Sequence, residues 1–455
     1  YGLSLDKKRF EALLNKQRGR ARKAFKGGES FAERVTLVKI KEKTGDSEFT
    51  GYDKLKDEAV VKAILSGQKE KESAEEGEKV ALVLDKTPFY AEKGGQVGDK
   101  GTIKGDNFIF EVEDTQTPIQ GLIVHIGTVK EGVVSVGDKV IAEVNKERRK
   151  AIMRAHTATH ILQAVLRKEF GTEIAQQGSA VHPDEFHFDF NFNGKISQDK
   201  LIKLERKMND IMISGIPVIV REMPIEEAKK SGALAFFEEK YGDIVRVVEI
   251  PGVSKEFCGG THVSNTSQIG IVMLRSFKSV ASGIRRVEGI TGKKAYDKIS
   301  EIRRLVNETA KVLGTSSESL ASRAEKLVFD LKKTKKEFET LKSEFLKKDA
   351  EDLKEFEKNG EKYFAKGFEG VGLPELRKVF DLVKRKFDKG IVILWSKSSG
   401  KSYVLVGRIG QSGKSAKEVF DKISAFANVK GGGNERIAQG SGEKGINLEK
   451  IEHLL

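Results

Sequence analysis

Apolar residues recur with the period of an α-helix in three long stretches of the chain. Residues 147–170 place an apolar side chain every three or four positions, and 197–214 and 300–357 do the same. Within the last stretch the spacing alternates between three and four, which predicts a heptad seam. The seam consists of Ala324, Leu327, Leu331, Thr334, Phe338, Leu341 and Phe345. An antiparallel helical hairpin and an intermolecular coiled coil would both bury it.

Elsewhere, short β-branched runs separated by glycine turns predict strands. Five such runs favour a small barrel or a compact antiparallel module, and they are 35–40, 80–85, 107–114, 121–127 and 140–144. After residue 146 the pattern becomes α+β. Three further runs there are expected to lie in one sheet, at 216–223, 243–250 and 269–276.

The C-terminal part, from about residue 360, alternates helical and strand patterns and predicts a small α/β module. Its predicted helices are 374–388 and 414–427, and its predicted strands are 390–396 and 402–408. The segment 429–442 is rich in glycine and polar residues, so we expect a flexible basic loop. Such a loop could hold a phosphate or simply be mobile.

Charge adds a preference for polyanions. The chain has 455 residues and a net charge of +14, which favours a nucleic-acid partner through counterion release, although a surplus of solubilising lysine gives the same figure. A single Cys excludes an intramolecular disulfide. Because no run of 18 apolar residues and no apolar leader occurs, we expect a cytoplasmic protein without a membrane span.

Two residue pairs predict a metal site. His156 and His160 lie four positions apart on the predicted helix 147–170, so both imidazoles project from one face. Cys258 and His262 have the same spacing in FCGGTHV, where two glycines allow a tight loop. Imidazole and thiolate together suit zinc. Surface histidines and a buried thiol are the plainer explanation of each pair taken alone.

The glycine-rich run EKGGQVGDKG at 92–101 is a second candidate site. Its backbone N–H groups could line a pocket for a phosphate, a ribose or a carboxylate. An ordinary β-turn also explains these residues, and the pattern favours the turn.

Taken together, several motifs resemble the C-terminal half of the alanyl-tRNA synthetase family. In chain order they are AEKGGQVGD (91–99), HTATH (156–160), AQQGSAV (175–181), GALAFFEEKYGDIVRVV (232–248), CGGTHV (258–263), GIRRVEGITG (283–292) and the GGG…AQGSG tail. The chain departs from the family pattern at His187 and Glu238. The resemblance implies an α+β multidomain chain that lacks the class II core, where the full enzyme uses ATP.

The resemblance also implies a domain division. It gives the end of a tRNA-recognition helical region at 1–30, a β-barrel-like module at 31–146, a zinc-bearing editing domain at 147–297, a helical coiled-coil linker at 298–358, and an α/β C-terminal domain at 359–455. The last domain is expected to bind tRNA and to support a homodimer. The class II N-terminal half would act in cis or in trans.

The implied activity is hydrolysis of wrongly made Ser-tRNA(Ala) or Gly-tRNA(Ala), with one zinc per chain held by the two residue pairs. The family places Gln176 near the bound aminoacyl group and Thr159 opposite the seryl side chain. Substrate contacts are expected from Gly94, Gly95 and Gln96. Candidate RNA contacts are Lys195, Lys200, Lys203, Lys207, Lys430 and Arg436.

Three alternatives stay open at this point. Zinc could activate a water at an open coordination position, or it could organise the pocket with all four protein ligands in place, which four candidate donors favour. Cys258 could instead act as a covalent nucleophile. The chain could also be a free-standing trans-editing protein, or a non-catalytic tRNA-binding and dimerisation module stabilised by zinc.

Overall fold

The computed structural model describes residues 31–67, 69–235, 242–398 and 400–443, with Ile451 and His453. The helical region predicted at 1–30 and the departure at Glu238 lie outside the described residues. The chain divides into two compact units, Tyr1–Leu305 and Val306–Leu455. In the described ranges, no helix combines the length and the apolar character needed to cross a membrane.

Within the described residues, the first unit begins with helix α1 (Phe31–Thr44), which is followed by a closed barrel. The strands of this region are β1 (Glu48–Phe49), β2 (Lys56–Ser66), β3 (Lys69–Lys71), β4 (Ser73–Glu75), β5 (Lys79–Leu84), β6 (Lys86–Thr87), β7 (Gly101–Lys104), β8 (Phe108–Ile119), β9 (Leu122–Ser135) and β10 (Lys139–Val144). Strands β2, β5, β9, β8, β7 and β10 pair antiparallel in that order, and β10 pairs again with β2. Closure removes the free sheet edges and confirms the predicted barrel.

The strand predicted at 35–40 is wrong, because these residues belong to helix α1. The run 35–40 was expected to be a strand because of its β-branched residues, but it lies inside α1. Leu37 and Ile40 are buried against the outer wall of the barrel, beside Leu65 and Val124, whereas Val38 is exposed. A spacing of three matches a helix face, so packing against the barrel overrides the local strand preference.

The rest of the first unit is α+β, as predicted. Its elements are α2 (Lys146–Phe170), β11 (Gln176–His182), β12 (Glu185–Asn191), α3 (Gln198–Ile213), β13 (Ile219–Pro224), α4 (Ile225–Lys230), β14 (Ile244–Ile250), β15 (Ser254–Phe257), β16 (Val272–Ala281) and β17 (Ile284–Thr291). The Asn145 side chain caps the start of α2 by accepting from the N–H of Arg148. Helices α2 and α3 share an apolar core with strands β12 and β17.

Two separate sheets replace the single sheet predicted for the runs at 216–223, 243–250 and 269–276. Strands β13, β14 and β15 form a three-stranded sheet, whereas β16 belongs to a four-stranded sheet of order β11-β12-β17-β16. The runs look alike because each is rich in apolar and β-branched residues. Which strand they pair with is decided by packing against α2 and α3, and no local pattern encodes it.

The second unit is a six-stranded sheet between helices. Helix α5 (Gly292–Val312) includes the division at Leu305. The elements after it are α6 (Leu320–Asp349), β18 (Lys354–Lys358), β19 (Glu361–Glu369), α7 (Leu373–Val383), β20 (Gly390–Ser398), β21 (Lys401–Ile409), α8 (Ala416–Ala427), β22 (Val429–Gly433) and β23 (Ile437–Gly442). The strand order is β18-β19-β20-β21-β23-β22, with β19 and β20 parallel. On β20, Ile391 and Ile393 face the α8 cluster, and Val392 and Leu394 face the α7 cluster.

Three predictions for this unit are corrected. The helical stretch predicted at 300–357 ends at Asp349, because Lys354–Lys358 forms strand β18 against β19. The segment 429–442 is not a flexible loop, because β22 and β23 pair antiparallel within it and β23 also pairs with β21. Helix α7 ends at Val383, before the predicted end at residue 388. Helix α6 matches the predicted heptad helix, with Leu331, Phe338, Leu341 and Phe345 each 62–70% exposed. The coiled coil itself stays a prediction.

Candidate metal centre

The two predicted ligand pairs meet in the first unit. His156 and His160 lie on α2, and Cys258 and His262 lie in the loop that follows β15. Their ligand atoms all fall within 4.8 Å of one another, so this group could hold a metal ion. The Cys258 Sγ is 3.4 Å from His156 Nε2 and 3.2 Å from His262 Nε2.

The three imidazoles are turned so that their Nε2 atoms face the cluster and their Nδ1 atoms face other groups. His156 Nδ1 is 2.8 Å from Gln96 Oε1. His262 Nδ1 is 3.1 Å from Thr157 Oγ1, whose own hydrogen is donated to the Met153 carbonyl. Such outer partners set which ring nitrogen carries the proton and keep the other free for a metal.

His160 has an acidic neighbour instead. Its Nδ1 lies 3.1 Å from Glu256 Oε2, without an aligned hydrogen bond, and both side chains are buried. Glu256 lies two residues before Cys258 on β15, so the strand that leads to the thiol also supplies a partner for the helix histidine. Sequence reasoning missed Glu256, although its position two residues before Cys258 was the available signal.

Burial sets the protonation of the cluster. It lowers the pKa of His160 to about 3 and holds those of His156 and His262 well below the usual range. It raises the pKa of the Cys258 thiol to about 12 and that of Glu256 to about 8. The imidazoles are therefore neutral and their Nε2 lone pairs available, and a metal bound by Cys258 would displace the thiol proton.

The loop that carries Cys258 is held by its carbonyl oxygens. Arg246 Nη1 donates to the carbonyls of Cys258 and Gly260, each at 2.8 Å. The carbonyl between them, that of Gly259, accepts from the Tyr52 hydroxyl at 2.6 Å. The Arg246 guanidinium also stacks 4.0 Å from the centre of the Tyr52 ring. Three successive carbonyls are thus fixed from outside the loop.

Gly260, the second glycine of this loop, is required for a steric reason. A Cβ at Gly260 would lie 2.0 Å from Cε1 of His156. Any side chain there would push the helix histidine out of the cluster. The close approach of the loop to α2 therefore requires glycine at this position.

A cavity of about 300 Å³ opens directly on the cluster. Its wall includes His156, His160 and Cys258, together with the predicted residues Thr159, Gln176 and Gly94. The Thr159 hydroxyl donates to the His156 carbonyl at 2.7 Å, and Gln176 Nε2 donates to Ser179 Oγ at 2.8 Å. The structure thus brings both predicted catalytic residues to the cavity beside the ligand cluster.

The glycine-rich run lies against the same site with different roles for its members. Gly94 is part of the cavity wall, and Gly95 packs against β11, where a Cβ would lie 2.6 Å from the Ser179 carbonyl oxygen. Gln96 is fully buried, and its amide faces Thr261 and His156. The structure places Gln96 behind the ligand cluster, whereas a direct substrate contact was predicted.

The predicted RNA residues lie at the surface in both units. Lys200 and Lys207 of α3 both pair with Glu169 of α2, while Lys195 and Lys203 are exposed. Lys200 and Lys207 lower the pKa of Glu169 to about 2 by hydrogen bonding to its carboxylate. In the second unit, Lys430 is exposed on β22, and Arg436 is exposed in the turn before β23.

Three family models match the chain. The model of class II (A) tRNA synthetases matches residues 1–148. The model of the threonyl and alanyl tRNA synthetase second additional domain matches residues 245–288, which include Cys258 and His262. The DHHA1 domain model matches residues 360–455.

Curated relatives match along the chain's length. The alanine–tRNA ligase of Thermotoga petrophila is 39% identical over 468 residues, covering 100% of this chain and 53% of the relative. The alanine–tRNA ligase of Clostridioides difficile is 36% identical over 451 residues, covering 96% of this chain and 50% of the relative. The chain spans about half the length of these relatives.

A solved structure, the C-Ala domain of Aquifex aeolicus alanyl-tRNA synthetase, overlaps 22% of this chain and 93% of its own at 25% identity. Its TM-score of 0.21 is too low to support a structural argument. The family models and the relatives together cover every part of the sequence in which the motifs were found. The chain therefore belongs to the alanyl-tRNA synthetase family, of whose full-length members it matches about half.

Proposed function

We propose that this chain is the editing part of an alanine–tRNA ligase and hydrolyses Ser-tRNA(Ala) and Gly-tRNA(Ala) in the cytoplasm. One observation carries the proposal: three of the four clustered metal-ligating side chains and the two predicted catalytic residues line one cavity. The match to the threonyl and alanyl second additional domain supports the same function.

Zinc is the proposed cofactor, one per chain. Three neutral imidazoles and one thiol form an N/S donor set of the kind zinc prefers, and distances of 3.4 and 3.2 Å from Cys258 Sγ suit ligands about 3–4 Å apart around one tetrahedral ion. Held by His156, His160, Cys258 and His262, zinc supplies a positive charge and a fixed cavity wall. A thiolate engaged in this way is a poor nucleophile, which argues against a covalent role for Cys258.

Thr159 is the proposed discriminator between serine and alanine. Its hydroxyl hydrogen is committed to the His156 carbonyl at 2.7 Å, so the oxygen presents only lone pairs to the cavity. A seryl hydroxyl can donate to that oxygen, whereas an alanyl methyl group cannot. A site built for a hydroxyl leaves its polar group unsatisfied when the analogue binds, so alanyl-tRNA is spared. Glycine has no hydroxyl, and its removal must rest on size or on looser positioning.

Gln176 is the proposed holder of the attacking water. Its Nε2 donates to Ser179 Oγ, which orients the amide at the cavity wall. The water oxygen attacks the ester carbonyl carbon, the bond to the ribose oxygen breaks, and the proton of the water passes to that ribose oxygen. We propose that the side-chain amide oxygen of Gln176 accepts a hydrogen bond from the water before attack.

The test is deacylation of Ser-tRNA(Ala) beside Ala-tRNA(Ala), with bound zinc quantified in the same sample. We expect rapid loss of the seryl ester, a stable alanyl ester and about one zinc per chain. Thr159→Val and Gln176→Ala should each slow seryl hydrolysis by about 10- to 100-fold, the effect of one buried hydrogen bond on a rate. An unchanged rate in Gln176→Ala would refute the placement of the water.

A non-catalytic tRNA-binding module is the second candidate, because four protein donors also describe a closed structural zinc site. Bound zinc and tight tRNA binding without hydrolysis would favour this candidate. Hydrolysis that returns when the class II N-terminal half is added in trans would instead show an editing site that needs its partner.

We also propose that tRNA(Ala) contacts both units. Lys203 and Lys207, the exposed lysines of α3, form one basic surface. Lys430 and Arg436 on the β22–β23 hairpin form another. The match to the DHHA1 domain covers the second surface. The exposed heptad side chains of α6 are the proposed homodimer contact of the C-terminal region.

A further inference from the structure

Gln96 bridges the two segments that carry the metal ligands. It lies in the segment between β6 and β7, next to the barrel, and is fully buried. Its Oε1 accepts from the Thr261 N–H at 2.9 Å, within the ligand loop, and lies 2.8 Å from His156 Nδ1 on α2. Its Nε2 donates to Thr261 Oγ1 at 3.0 Å.

These contacts determine the tautomer of the His156 imidazole. A backbone N–H can only donate, so the group that meets the Thr261 N–H must be the oxygen of the Gln96 amide. The same oxygen meets His156 Nδ1, which must then carry the proton. His156 Nε2 is left with a lone pair directed at the cluster, 3.4 Å from Cys258 Sγ.

The Gln96 backbone is itself restrained. Its N–H donates to the Lys93 carbonyl at 3.0 Å, and its carbonyl accepts from the Lys93 N–H at 3.1 Å. On either side, the Gly95 carbonyl accepts from Val181, and the Val97 N–H donates to Val181. The amide is therefore delivered from a segment tied to β11, not from a free loop.

The other two imidazoles are oriented from within the segments that supply ligands. Thr157 lies on α2, and Glu256 lies on β15, directly before the ligand loop. His156 differs, because its partner comes from the segment beside the barrel, 60 positions away.

We infer that Gln96 is a positioning residue for the metal ligand His156, through which the barrel region becomes part of the metal site. The inference rests on the proposed function, since it concerns the proposed zinc. Without the Gln96 oxygen, the His156 ring loses the acceptor that sets its proton and its angle. Metal affinity then falls even though all four ligands remain.

The test compares three variants of the full chain by Zn²⁺ competition against a chelator and by the Co²⁺ d–d and thiolate absorption bands. Gln96→Met keeps the side-chain length and removes the acceptor, so affinity should drop about 10- to 100-fold and the Co²⁺ bands should shift. Gln96→Glu restores an acceptor, to which Thr261 can turn its hydroxyl, and should bind within about 3-fold of the unchanged chain. Val97→Ala removes neighbouring packing without touching a ligand, and should leave affinity unchanged.

Each outcome decides the inference. Equal affinity in Gln96→Met, an equal loss in Val97→Ala, or no recovery in Gln96→Glu would each overturn it. If the unchanged chain binds neither metal, the zinc of the proposed function fails as well, and that failure is visible before any variant is measured.

Discussion

The metal centre of the first unit and the basic hairpin of the second hold their functional residues in opposite ways. His156, His160 and His262 are buried, and each Nδ1 faces a side chain that restricts the ring. Lys430 and Arg436 of the β22–β23 hairpin are exposed. Chemistry that needs neutral imidazoles and a defined angle requires a packed shell, whereas attraction of a polyanion requires only charge at the surface.

This difference predicts that substitutions of buried polar residues in the first unit lower the free energy of unfolding strongly. Substitutions on the basic surfaces should hardly change it. The sole tryptophan, Trp395, lies in the second unit. Its fluorescence therefore follows that unit, while far-UV circular dichroism follows both. The two signals let each prediction be assigned to its region.

The largest effect is expected for Arg149→Met. Arg149 is buried, pairs with Asp99, and donates to the carbonyls of Gly51 at 2.6 Å and Pro88 at 2.7 Å. Its removal leaves a buried carboxylate without its partner, so we expect a loss of about 3–5 kcal/mol in the free energy of unfolding of the first unit. Urea unfolding followed by circular dichroism measures it.

The matched control lies on the surface of the second unit. Lys417 pairs with Asp421 at 3.4 Å, and both side chains are more than half exposed. Lys417→Met should change stability by less than about 0.5 kcal/mol. Similar losses in the two variants would contradict the contrast between a buried and an exposed pair.

Metal removal is expected to cause the second largest loss in the free energy of unfolding. At free zinc 100 times its Kd, the bound ion should add about 2.7 kcal/mol to the unfolding free energy of the first unit, and a chelator should remove that gain. Cys258→Ser should lose most of the gain. The Trp395 transition should not move with zinc, and a shift of that transition would show that the metal effect is not confined to the first unit.

The pH dependence of the barrel is the third prediction. His125 is fully buried between the Thr87 hydroxyl and the Leu82 carbonyl, and burial lowers its pKa to about 4. Below an unfolded-state pKa of about 6.5, only the unfolded chain gains this proton, so stability falls as the pH drops from about 6.5 toward 4.

Between pH 7.5 and pH 5 this one group should account for about 2 kcal/mol. Urea unfolding of the unchanged chain and of His125→Gln, both with saturating zinc, isolates the contribution. The variant should lose less stability on acidification than the unchanged chain. Equal losses would mean that His125 is not the group responsible.

The smallest effects on folding are expected on the basic surfaces. Lys203→Ala and Lys430→Ala should each change the unfolding free energy by less than about 0.5 kcal/mol. Each should lower the slope of log affinity for tRNA against log salt by about 0.7–0.9 if the lysine contacts a phosphate. Titrations of tRNA at several salt concentrations measure the slope, and an unchanged slope would remove that lysine from the interface.

Local pattern was a good guide to long helices with a sustained apolar period. The helix at 147–170 and the heptad helix of α6 have the predicted type because their apolar period spans several turns. The run at 35–40 was misassigned, since a six-residue run with four β-branched residues does not show that Leu37 and Ile40 pack together on a barrel wall. The segment 429–442 was misassigned because glycine hides a strand that is held by neighbouring strands.

The sequence by itself determined the donor set, the spacing that puts two histidines on one helix face, and the glycines that let a loop come close. Tertiary structure decided that the two pairs meet, that Gln96 faces His156 from 60 positions away, and that Tyr52 holds the Gly259 carbonyl from 207 positions away. Periodicity is carried by neighbours in the chain. Hydrogen-bond partners of a buried site are fixed only when the barrel, α2 and the ligand loop pack together, because most polar atoms that leave water need a partner from whichever segment lies nearby.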